Sequence, residues 1–166
     1  MISFDKQWNT QHIDQYTKVI LFLSDFTSKY TNTLETILQN NVNKNVFIDH
    51  ESNTGIIYKN DNFENMKIKD IVDESIEKLH KLLVDFSKEL LETDGVNKEI
   101  IKSIAKDNRF ELLNYKNEKE HKINLSDLIL STFNKFKDDT KHQYIKYQEQ
   151  QQICNLPLDN NFLTQC

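Results

Sequence analysis

The sequence predicts an α+β fold that is mainly α, a helical bundle of about four helices with one or two β-hairpins. Three observations predict it. Apolar residues recur at three- and four-residue steps through most of the chain. Two short runs rich in β-branched and aromatic residues, 45–49 and 55–59, flank a polar connector. Ten Phe and six Tyr raise an apolar share of only 37% above that of disordered chains. At 166 residues the length fits one domain, which we place over residues 1–153, with a C-terminal tail over 154–166.

The first helix is expected over residues 10–39, with Ile13, Tyr16, Ile20, Leu23, Tyr30, Leu34 and Leu38 on one broad inward face. Phe22 lies roughly 160° from Ile20 on a helical wheel. The helix is therefore buried on more than one side or presents an apolar spot, and Phe22 becomes a candidate partner contact. Residues 45–49 and 55–59, joined by His50-Glu51-Ser52-Asn53-Thr54, read as a hairpin.

Residues 67–92 carry the clearest helical stripe: Ile68, Val72, Ile76, Leu79, Leu83, Phe86 and Leu90. Gly95 follows as a left-handed stop, and Asn97 is an N-cap with Val96 and Ile101 as a hydrophobic staple. A short return helix over 98–107 should come next. Residues 109–125 read as a second hairpin or as an extension of that helix. The lettering of 122–129 resembles that of 67–72, which suggests a degenerate duplication with four strands in one sheet. A last helix over 126–152, capped by Ser126, turns polar in its distal half and ends before Pro157. Tyr144 and Tyr147 in that half, with Leu156, Leu158 and Phe162 in the tail, are candidate docking residues.

Composition excludes more chemistry than it suggests. All but one of the 21 basic residues are Lys, the exception being Arg109, and there are two Gly and one Pro. Phosphate-cradling loops need Gly, and planar clamps on carboxylate or phosphate favour Arg. The net charge of −5, with no run of basic residues, disfavours nucleic acid. The longest apolar stretch, residues 19–23, is too short for a membrane span. With no leader-like start we expect a cytoplasmic protein, in which Cys154 and Cys166 are free thiols.

Two Glu-x-x-His pairs, Glu77/His80 and Glu118/His121, have the spacing used by di-iron bundles, but the wheel turns Glu77 and His80 away from the core stripe. Asp49-His50-Glu51, with Asp61 near, could hold a divalent ion; a solvated turn explains it better. No nucleophile has an assignable base, and no cofactor is expected. The reading is a non-enzymatic protein-binding module, specifically an acidic antitoxin- or immunity-type inhibitor of a basic partner, with Asp49, Glu51 and Asp61 on its acidic face. The alternatives are a structural adaptor or homo-oligomer, a homodimer included, docking through Phe22 or the tail, and a metal-dependent enzyme centred on His50 or His80.

Overall fold

The computed structural model describes residues 1–49, 51–117 and 119–155. Six helices and a three-stranded antiparallel sheet give the α+β, mainly α architecture expected. The order is α1 (Gln15–Leu23), α2 (Phe26–Leu38), a 3-10 turn, β1 (Val46–Asp49), β2 (Thr54–Lys59), β3 (Asn62–Lys67), α3 (Ile68–Leu91), α4 (Lys98–Asn117), α5 (Lys119–Lys135) and α6 (Lys137–Asn155).

The expected helix over 10–39 is two helices. Ser24 and Asp25 both take extended backbone, and the Asp25 carboxylate accepts the Ser28 N–H at 2.9 Å. An Asp that can cap a new helix competes with continuation of the old one. Asp14 does the same for α1 through the Thr17 N–H at 2.7 Å.

The first hairpin forms in the register Val46↔Ile57 and Ile48↔Gly55. A Cβ on Gly55 would run into the Ile71 side chain, so β2 needs Gly where α3 presses on the sheet. The second hairpin is not at 109–125, where α4 continues as a helix to Asn117. It is made by β2 and β3, which reverse at Asn60 and Asp61 with φ of 51° and 64°. Two positive-φ residues give the turn whose twist matches the strands, and Asn and Asp tolerate that region. The sheet accordingly has three strands in the order β1-β2-β3 and not four.

Residues 68–91 form the expected long helix, and Ile71, Val72, Ile76, Leu79, Leu83, Phe86 and Leu90 are buried. Gly95 takes φ +81°, and the Asn97 side chain accepts the Glu99 and Ile100 N–H groups. Val96 packs against the small cluster of Phe22, Leu90 and Ile101. The expected last helix is divided at Phe136 into α5 and α6.

Alternation along the strands gives the sheet two occupied faces. Val46, Ile48 and Ile57 join the main core with Ile71 and Ile76 of α3, Leu34 and Ile37 of α2, and Leu125 and Ile129 of α5. On the other face Phe47, Ile56 and Phe63 meet Thr140 and Tyr144 of α6. The first nine residues, unassigned in the sequence, fasten to this frame through Phe4 N–H to Tyr58 O at 2.7 Å and Ile2 N–H to Val42 O at 2.8 Å, and residues 10–14, expected as helix, precede the start of α1 at Gln15. Among the described residues no helix is long and apolar enough to cross a membrane.

Candidate functional site

The most unusual surface is the outward face of α1. Tyr16, Ile20 and Leu23 lie within about 60° of one another on the helix and are 75%, 50% and 52% exposed. Phe22, on the other side, is 1% exposed. Of the seven residues assigned to the inward face, Ile13, Tyr30, Leu34 and Leu38 are buried as expected while Tyr16, Ile20 and Leu23 face solvent, and Phe22, offered as core or as a partner contact, is core. The physical reason is the neighbour available to each side. Phe22 enters the cluster with Leu90 and Ile101, and Leu21 enters the main core. Lys18 ties the same side to Glu89 of α3 at 2.8 Å. Once that side is fixed, the period of the helix turns Tyr16, Ile20 and Leu23 out.

This stripe carries no charge. Lys18 is the single charged residue among the nine of α1, and it is engaged by Glu89. Other exposed apolar residues sit among charges: Phe110 and Leu113 of α4 flank Arg109 and Glu111. Beside the α1 stripe, Leu23 shares a shallow cleft with Ile104 of α4, rimmed by Asp25, Lys29, Asp107 and Glu111. Ile100, one turn before Ile104, is half exposed. The signal was legible as an all-round apolar turn at residues 19–23.

The acidic residues singled out earlier do not form one face. Asp49 and Thr54 pair at one end of the first hairpin, while Asp61 sits in the turn at the opposite end of β2. Asp49 accepts the Ser52 hydroxyl at 2.8 Å and the Glu51 N–H at 3.1 Å, and these donors hold its carboxyl below the usual range. Asp61 accepts the Tyr58 hydroxyl at 2.9 Å. Glu51 is exposed. His50, Leu156, Leu158 and Phe162 lie outside the described residues.

Tyr144 and Tyr147 both pack on Phe63, and the Tyr147 hydroxyl reaches the Asp61 carbonyl at 3.4 Å. Phe63 stands 4.3 Å from the Tyr144 ring centroid, 5.2 Å from that of Tyr147 and 5.5 Å from that of Tyr58, all steeply inclined. Tyr58 adds an edge contact to Tyr147 at 5.1 Å. Such geometry aims ring edges at ring faces, as the aromatic quadrupole prefers. Burial, helped by its hydroxyl contacts with Tyr147 and Asp61, pushes the Tyr58 phenol well above its usual range.

Of the metal candidates, His50 and Glu118 lie outside the described residues, and the Glu77/His80 pair is engaged within the chain. Glu77 pairs with Lys116, and the His80 ring lies beside the Tyr30 hydroxyl, its protonation disfavoured mainly by burial. Among the described residues no three His, Cys, Asp or Glu side chains stand close enough to share an ion. No known protein family, curated protein or solved structure matches this chain.

Proposed function

We propose that the protein is a non-enzymatic protein-binding module that docks through the outward face of α1. The observation that carries this reading is the uncharged, exposed stripe of Tyr16, Ile20 and Leu23. A helix that spends three large apolar side chains on solvent gains nothing from them until something covers them. The occupant is a second copy of the chain. The α1 stripe itself is uncharged and complementary to itself, while Asp25, Lys29, Asp107 and Glu111 rim the cleft at its margin. In an antiparallel two-fold pair Ile20 meets Ile20, and Tyr16 of one copy meets Leu23 of the other. A stable interface buries about 800 Å² per partner, so Ile100 and Ile104 of α4 complete what the α1 stripe begins.

The inhibitor version of the reading asks for carboxylates massed on one face. With Asp49 and Asp61 apart and hydrogen-bonded within the chain, what supports it is the net charge of −5 and the carboxylates of Asp25, Asp107 and Glu111 around the cleft beside Leu23. What supports the homo-oligomeric version is the exposed apolar stripe of α1.

Sedimentation equilibrium of the wild type and of Ile20→Lys tests this. The wild type should shift from one-chain to two-chain mass across the micromolar range, and the variant should remain at one-chain mass with unchanged circular dichroism. A wild type of one-chain mass at every concentration, or a variant that still pairs, overturns it.

A further inference from the structure

Lys78 projects from α3 into a recess closed by the N-terminal segment. Its Nζ donates to Phe4 O at 2.9 Å and stands 3.8 Å from the Trp8 ring centroid and 4.9 Å from that of Phe4. Lys18, Lys44, Lys116 and Lys135 each have a carboxylate within 4 Å. No such ion pair is found for Lys78 among the described residues. The same residue forms part of the wall of an open cavity of about 570 Å³, whose other charged lining residues are Asp5, Asp73, Glu74, Glu77, Lys81 and Lys116.

An amine held against aromatic rings without a counter-ion, at the edge of a cavity large enough for a small molecule, is how proteins arrange nucleophilic lysines. We propose that Lys78 is a covalent capture site for a small aldehyde or ketone that enters this cavity and forms an imine. The proposal is independent of the docking face on α1.

Burial pushes the Lys78 ammonium down to about 7, against the pull of Glu74 and Asp5. The Trp8 ring and the Phe4 carbonyl also favour the charged form, so neutral and charged amine coexist near pH 7. The neutral amine keeps one N–H on Phe4 O and leaves its lone pair for the ligand. That pair forms the C–N bond to the carbonyl carbon while the π pair moves to oxygen. One nitrogen proton passes to that oxygen to give the carbinolamine. Loss of water, which takes the second nitrogen proton with the hydroxyl, gives the neutral imine with no change of oxidation state. Asp5 and Glu74, on the cavity wall, are placed to relay these protons. Phe4, Ile76 and Tyr115 give a hydrocarbon substituent an apolar lining.

The test uses the full wild-type chain with limiting propanal and cyanoborohydride, which reduces each imine to a stable alkyl-lysine, followed by peptide mass mapping from pH 6 to 9. At pH 7 Lys78 should be alkylated about tenfold faster or more than the exposed Lys106 and Lys141. Its rate should level off just above pH 7 while theirs still climbs. Alkylation of Lys78 no faster than that of Lys106 overturns the proposal and leaves Lys78 as a clasp for the N-terminal segment.

Discussion

Helices α1 and α6 invert the relation between composition and coverage. In α1 six of nine residues are apolar or aromatic, Tyr16, Val19, Ile20, Leu21, Phe22 and Leu23, yet half of these face water. In α6, Asp, Lys, Gln and Glu dominate, yet Tyr144 and Tyr147 pin the helix to the outer face of the sheet through Phe63 and Tyr58. What separates them is the neighbour and not the content of the helix. α6 lies over a sheet face carrying Phe47, Ile56 and Phe63, whereas α1 seats one side on α3 and α4 and, among the described residues, leaves Tyr16, Ile20 and Leu23 exposed on the other. An apolar surplus on α1 is thus a property of the surface, and an aromatic pair on α6 is a property of the fold.

The largest effect should come from the inward side of α1. Phe22→Ala removes a fully buried ring and takes from Lys29 the face that its Nζ overlies at 5.1 Å. Truncations of buried Phe cost about 3–5 kcal/mol, and this one should fall in that range in urea unfolding. A cost near zero would mean that α1 is not seated through Phe22 at all. Phe63→Ala should rank next. It removes a half-buried ring and three inclined ring contacts, each worth about 0.5–1.5 kcal/mol. Amide exchange in residues 137–152 should accelerate while exchange in α3 is unchanged. Acceleration spread equally over α3 would show that α6 is part of the main core and would erase the contrast with α1.

The sequence made the strong periodicities legible and missed what depended on a neighbour. The α3 stripe, the Gly95 stop and the Asn97 cap rest on local signals and are all present in the structure. The first hairpin is legible for the same reason. β3 was missed because Phe63 and Met66 are its only large apolar residues and the other four of its six residues are exposed, so no alternation marks it; the Asn60-Asp61 turn was the available clue. The orientation of α1 was missed because both of its sides are apolar, and only α3 and α4 decide which goes in. Lys78 was invisible for a related reason. Its surroundings come from Phe4 and Trp8, about seventy residues earlier, and nothing beside Lys78 in sequence announces them. Asp61, Tyr144 and Tyr147 were offered as partner contacts; within the chain Tyr147 reaches Asp61 and both tyrosines pack on Phe63 of the sheet.

The smallest effect bears on why α1 points where it does. A helix running unbroken from residue 15 to 38 would carry its apolar faces straight into those of α2; the extended pair Ser24 and Asp25 uncouples the two. Hydrogen bonds from the Ser28 hydroxyl and then the Ser28 N–H hold the Asp25 carboxyl below its usual range. A carboxyl lowered in the folded state stabilises fully above its unfolded value of about 3.9, and the contribution is lost as the pH falls through the lowered folded value. Asp25→Ala should therefore melt slightly earlier than the wild type at pH 7, and the gap should narrow as the pH falls through the lowered folded value. Asp25→Asn, which keeps an acceptor for Ser28 without the charge, should lie between them at pH 7 and show little pH dependence from this site. Equal melting of Asp25→Ala and wild type at pH 7 would place the break with the packing of Phe22 and Phe26 on either side of it. The exposure of Tyr16, Ile20 and Leu23 would then be fixed by the core and not by the cap.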